Sequence, residues 1–125
     1  MSRPCTMRRM VAAKRESLIT QMRRGTLEYC VLALLRDQPR YGFDLVRSLG
    51  AADGLVTSEG TIYPLLSRLR RDGPVTPTSH ESPSGPPRRY YQLTSEGGRA
   101  LALFTTEWDR FTDAVDRLLR QGGSP

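Results

Sequence analysis

Apolar and polar positions follow two different periods along this chain, and the change of period divides it. Leu27, Val31, Leu34 and Leu35 make a helical stripe in "GTLEYCVLALLRDQP", and Pro39 is expected to end it. "RYGFDLVRSLG" predicts a second, short helix with Leu45, Val46 and Leu49 inward and Gly50 as its C-terminal stop. After a turn in "AADGLV", the stretch "SEGTIYPLLSRLRRDG" predicts a third helix on Ile62, Leu65, Leu66 and Leu69. Beyond Gly73 the period shortens. "VTPTSHE" and "RRYYQLT" read as short strands, separated by "SPSGPP", which is too rich in proline and glycine for regular structure. A long helix resumes from Ser95 to about Arg120, and the chain frays in "GGSP".

The resulting class is mainly α with a small β-hairpin. Three short helices followed by a hairpin make a winged helix-turn-helix, in which the third helix enters the major groove. The expected division is a partly helical basic arm over 1–24, the winged domain over 25–94, a dimerisation helix over 95–121 and a frayed tail over 122–125.

The third helix has an outward face unlike an ordinary surface. Ser58 is placed to cap it and Glu59 to sit beside its positive end. With the apolar stripe inward, Gly60, Pro64, Ser67 and Arg71 point out, Thr61 and Arg68 line one flank, and Tyr63 and Arg70 line the other. No acid stands between Glu59 and Asp72. Small residues let a backbone approach a groove, while hydroxyls and arginines bond to phosphates and base edges. Pro64 removes the N–H that would bond the Gly60 carbonyl, a loss of ~3 kcal/mol in a regular helix interior. A loosened first turn is tolerable where it rests on DNA.

The last helix shows Leu101, Phe104, Trp108, Phe111, Val115 and Leu118 at alternating spacings of three and four, widened by Ala100 and Leu119. That heptad seam predicts pairing with a second copy, because a monomer would expose a row of aromatics. Phe104, Trp108 and Phe111 either form plain core there or frame an apolar cavity for a planar ligand.

Charge sharpens the picture. The 125-residue chain carries a net +6, and residues 1–25 hold Arg3, Arg8, Arg9, Lys14, Arg15, Arg23 and Arg24 against Glu16 alone. The remainder balances, so the excess lies in the N-terminal arm, which either attracts phosphate or is a solvated tail. No apolar run reaches the roughly 18 residues of a membrane span and no signal-peptide core follows Met1, so no membrane association and a cytoplasmic address are expected. Cys5 and Cys30 have no metal spacing and read as reduced, with Cys30 buried. An enzyme is not expected: there is one histidine, His80, no Gly-rich phosphate loop and no nucleophile-and-base cluster. His80 with Glu81 reads as a solvated pair, and no cofactor or metal is called for.

"RGTLEYCVLALL", "RYGFDLVRSL", "SEGTIYPLLSRLRRDG" and "PPRRYYQLTSEG", in this order, resemble the PadR family of bacterial transcriptional regulators, over about Arg24 to Leu119. The resemblance implies a homodimeric winged helix that binds double-stranded DNA, represses promoters and in many members releases DNA on binding a small, often aromatic effector. It resembles the compact branch, with one C-terminal dimerisation helix. It implicates Ser58, Thr61, Tyr63, Pro64, Ser67 and Arg68 near DNA, and Arg88 and Arg89 in the wing. Tyr41 and Gly42 match the "YG" that opens the second helix, where Tyr41 packs rather than reads bases. Two departures stand out. Pro74 replaces the usual aliphatic residue, with Pro77 close behind, so the first wing strand is expected to be short or irregular. The arm is also longer than usual for compact members, with Met7 and Met10 as alternative starts. The rival reading is a dimeric winged-helix module that docks another protein, for which apolar anchors would be expected on the third helix.

Overall fold

In the computed structural model, the described residues are 4–52, 55, 58–82 and 85–121. Helix α1 (Pro4–Arg23) precedes α2 (Leu27–Leu34), strand β1 (Arg40–Tyr41), α3 (Gly42–Ala51) and α4 (Glu59–Asp72). Strands β2 (Val75–Ser82) and β3 (Gly85–Leu93) and the long helix α5 (Ser95–Gln121) complete the chain. The expected tail, 122–125, and half of the "AADGLV" turn lie outside the described residues.

The weak pattern of the arm becomes a regular 20-residue helix. It stops where Gly25 takes φ +80°, a left-handed conformation that a β-carbon disfavours. Its apolar residues Met10, Val11, Leu18 and Met22 remain exposed.

The winged domain is built on one core: Leu27, Val31, Leu32, Leu35, Leu45, Leu49, Ile62, Leu66, Leu69, Val75 and Leu101. Ile62 and Leu66 have no exposed surface, and burial of such side chains stabilises a fold by about 1.5–3 kcal/mol each. Leu34, Val46 and Leu65 are only half-buried, and Leu32 takes the inward place expected of Leu34.

Several helix ends differ from the sequence expectation. Helix α2 ends at Leu34 rather than at Pro39, where its last turn tightens and Arg40 caps the Leu34 carbonyl. The Leu35 N–H donates to both Val31 O and Leu32 O, and Arg40 Nε donates to Leu34 O at 2.7 Å. The same guanidinium pairs with Asp44 at 2.9 Å, tying the end of α2 to the start of α3. Gly50 does not stop α3, which continues to Ala51 with Ala52 as its cap. Among the described residues only Gly25 and Gly73 have positive φ. At Gly73, φ +113°, the N–H donates to Leu69 O and closes α4.

Strand β1, not anticipated in the sequence, pairs with β3 through Arg40 opposite Tyr91 and Tyr41 opposite Tyr90, giving a three-stranded antiparallel sheet in the order β1-β3-β2. The first wing strand is neither short nor broken at its prolines. β2 runs for eight residues with Pro77 opposite Tyr91, and its register shifts only between His80 and Ser82. Its place at the sheet edge explains this, since half the N–H groups of an edge strand face away from the ladder. The "SPSGPP" segment is correspondingly narrower as a loop: Ser82 ends β2 and Gly85 begins β3.

Thr94 joins wing to long helix. Its hydroxyl donates to Gly73 O at 2.7 Å and accepts from the Gly97 N–H at 3.0 Å, capping α5. A β-carbon on Gly97 would collide with the Pro74 carbonyl, so the helix can start this close to the α4–β2 corner only with glycine there.

Candidate nucleic-acid interface

Helix α4 turns outward the face that its apolar stripe predicts. Gly60, Thr61, Tyr63, Pro64, Ser67, Arg70 and Arg71 are exposed, and Arg68 is half-buried. The helix passes through Pro64 without interruption. Ser58 occupies the N-cap position with extended backbone, but its hydroxyl makes no capping bond. Instead Ser58 Oγ lies 3.4 Å from Thr61 Oγ1. The expected side-chain cap is absent because that hydroxyl faces its neighbour on the helix flank. The first turn is held by the Ser58 carbonyl, which accepts from the N–H groups of Thr61 and Ile62.

Tyr63 is positioned by Gly42. A β-carbon on Gly42 would come within 2.5 Å of Tyr63 Cε1, so the ring lies against bare backbone at the start of α3. The glycine of "YG" therefore makes room for a side chain of α4. Burial, then the Glu59 charge, then Tyr91 push the Tyr63 phenol above its ordinary range, so at neutral pH its hydroxyl is intact as a hydrogen-bond donor. A groove of about 380 Å³ opens beside it, lined by Tyr41, Gly42, Phe43, Tyr63, Arg89 and Tyr91. Tyr41 packs, with ring centroids 5.6 Å from Tyr90 and 6.5 Å from Phe43.

The wing brings exposed Arg89 to the same side as Tyr63. Arg88 lies in β3 opposite His80 by backbone register, but its side chain, like those of His80 and Glu81, is outside the described residues. Arg68 is not a free cation. Its NH2 donates to Glu28 Oε1 of α2 at 3.2 Å, and its NH1 lies 3.9 Å from Asp72. Arg71 is far more exposed, with its Nε 3.8 Å from the same Asp72.

An aromatic ladder climbs α5. Tyr29 of α2 stacks on Phe104 at a 4.1 Å centroid distance and an interplanar angle of 7°. Phe104 is 5.5 Å from Trp108, and Trp108 is 6.2 Å from Phe111. Tyr29 had no signal as a partner, since only the packing of α2 against α5 brings it there. Leu101, expected in the intersubunit seam, lies instead in the chain's own core, because the first turns of α5 pack on α2. Further along, Trp108 is 39% exposed, Phe111 62% and Leu118 69%, while Val115 is half-buried. Cys30, expected to be buried, is only half-buried, and that burial raises its thiol above the usual range.

Among the described residues no group of histidine, cysteine, aspartate and glutamate could hold a metal ion, and no helix is long and apolar enough to cross a membrane.

Residues 31–103 match the family model described as transcriptional regulator PadR-like family. The chain is similar to a PadR-like transcription factor from Bacteroides fragilis, 39% identical over 82% of this chain and 98% of that one, with a TM-score of 0.67. A PadR family transcriptional regulator from Eggerthella lenta is 36% identical, covers 88% and 96% of the two chains, and superposes with a TM-score of 0.76. For a PadR-like transcriptional regulator from Bacillus cereus the values are 35%, 79%, 96% and 0.73.

Proposed function

Since the chain belongs to the PadR-like family of transcriptional regulators, a family of DNA-binding proteins rather than enzymes, we propose that it represses transcription by binding a palindromic promoter operator as a homodimer. The observation that carries this reading is the exposed, acid-free face of α4 with the wing beside it. Ser58, Thr61, Tyr63, Pro64 and Ser67 approach base edges, and Arg71, Arg88 and Arg89 meet phosphates. Apolar anchors, which a protein-docking face would need, are missing from α4 apart from the tyrosine.

Dimerisation is supported by the uncovered row on α5. Phe104, Trp108, Phe111, Val115 and Leu118 form the seam, and the exposed apolar side chains of α1 add surface that a second copy covers. A two-fold dimer in turn presents two α4 helices to two half-sites. The ladder of Phe104, Trp108 and Phe111 is the place for a planar aromatic effector held between subunits.

The test is a footprint on the DNA flanking the protein's own gene, repeated across a salt series. A protected, two-fold symmetric site with affinity falling steeply with salt supports the reading. Salt-independent binding, or capture of a protein in place of DNA, would favour the docking module.

A further inference from the structure

The recognition helix offers DNA fewer free charges than its sequence suggests. Arg68 stands seven positions after Thr61 on the same flank of α4, beside exposed Ser67 and Arg71. Yet its guanidinium is turned toward Glu28, forty positions earlier in the chain, at 3.2 Å, with Asp72 on its other side at 3.9 Å. Asp72 also faces Arg71 at 3.8 Å. Two carboxylates therefore divide two arginines at the C-terminal end of the helix.

Stability alone does not account for the Glu28 contact. The Arg68 side chain is 42% exposed and that of Glu28 26%, and ion pairs this open contribute little to folding. Their exposure has another consequence. A guanidinium binds carboxylate and phosphate with the same planar fork of donors, so the two anions are direct competitors for it. An arginine this exposed can exchange one for the other when a duplex comes close.

Resting on the DNA-binding reading above, we infer that Glu28 is a specificity-determining residue that withholds Arg68 from DNA phosphates. A duplex lying loosely on α4 meets a neutralised pair and gains no ion release from it. A duplex seated closely, with its base edges matched, brings a phosphate near enough to displace the carboxylate. Glu28 thus lowers sequence-independent affinity and leaves the matched site less affected. Asp72 acts in the same direction on Arg71 and Arg68, more weakly because its contacts are longer.

The experiment measures binding of the full chain to a short random-sequence duplex across a salt series. Glu28→Gln keeps the side-chain shape and removes the charge. It should tighten random-duplex binding several-fold at low salt and steepen the log–log salt slope by about 0.9, the value for one additional phosphate contact. Asp72→Asn should move both quantities the same way by less. Adding Arg68→Gln to Glu28→Gln should abolish the gain. If the gain survives loss of Arg68, Glu28 acts only through the general field and the inference fails. It also fails if Glu28→Gln weakens binding or leaves the slope unchanged, which would make the pair a strut between α2 and α4. A parent chain that binds no duplex at any salt overturns the DNA-binding reading itself, whereas a parent that binds with an unchanged Glu28→Gln variant overturns this inference alone.

Discussion

The outward face of α4 and the distal half of α5 are both exposed helix surface, but they are finished to different degrees. On α4 the apolar stripe is fully used by the chain's own core, and what remains outside is small, hydroxylic or basic. That surface leaves no large apolar stripe uncovered, which suits the polar, anionic partner proposed for it. On α5 the core takes Leu101, Tyr29 stacks on Phe104, and further along Trp108, Phe111 and Leu118 stay exposed while Val115 is half-buried. That surface is what the proposed pairing with a second copy would cover. One helix ends its hydrophobic work inside the chain; the other leaves part of its apolar row exposed.

The sharpest way to break the comparison is to attack the unfinished surface. Trp108→Ala removes the central aromatic of the row, and loss of such an interface anchor costs at least about 2 kcal/mol, or roughly a thirtyfold weaker dimer. Sedimentation against concentration reads it directly. A variant that dimerises as tightly as the parent would show the row to be covered by something else.

The same measurement on α4 should give the reverse pattern. Tyr63→Ala or Ser67→Ala is expected to weaken operator binding by about 1–3 kcal/mol with the dimer intact. Both side chains are exposed, so little core is lost. Unchanged operator affinity in both variants would mean that the face does not read DNA, and the contrast with α5 would collapse.

The smallest effect expected is a pH dependence. Folding raises the Tyr63 pKa above the ordinary tyrosine value of about 10, so the folded state favours the neutral phenol. Its contribution is fully present below the unfolded value and is lost as pH rises through the folded one. Denaturation of the parent and of Tyr63→Phe should therefore differ by a constant amount below pH about 10, and the parent should lose ground above it. A difference that stays flat at high pH would place the ring in solvent rather than against Gly42.

Much of this molecule was legible before any coordinates. The order of α2 to α5 and of the two wing strands, the stripes of α3 and α4, the exposed face of α4 and the extent of α5 follow from periodicity, which is set by neighbours within a turn or two. Helix ends were harder. Gly50 looked like a stop but remains in helix, and Ser58 looked like a cap but turns to Thr61. Ser58 has a competing local partner in Thr61, and Gly50 is accommodated one residue before the end of α3, so propensity alone does not decide either position.

Residue spacing says which faces are apolar, which are basic and in what order they come, because backbone geometry converts spacing directly into direction. How far each face is used up depends instead on how the elements pack together. Leu101 is core and not seam because α5 starts against α2. Pro77 is harmless because β2 is an edge strand, a fact that depends on β1 joining the other side of β3. Tyr29 enters the aromatic ladder, and Arg68 is held by Glu28, through contacts between segments far apart in the chain. Such pairings depend on the relative placement of whole elements, which packing of the shared core sets and no local spacing encodes.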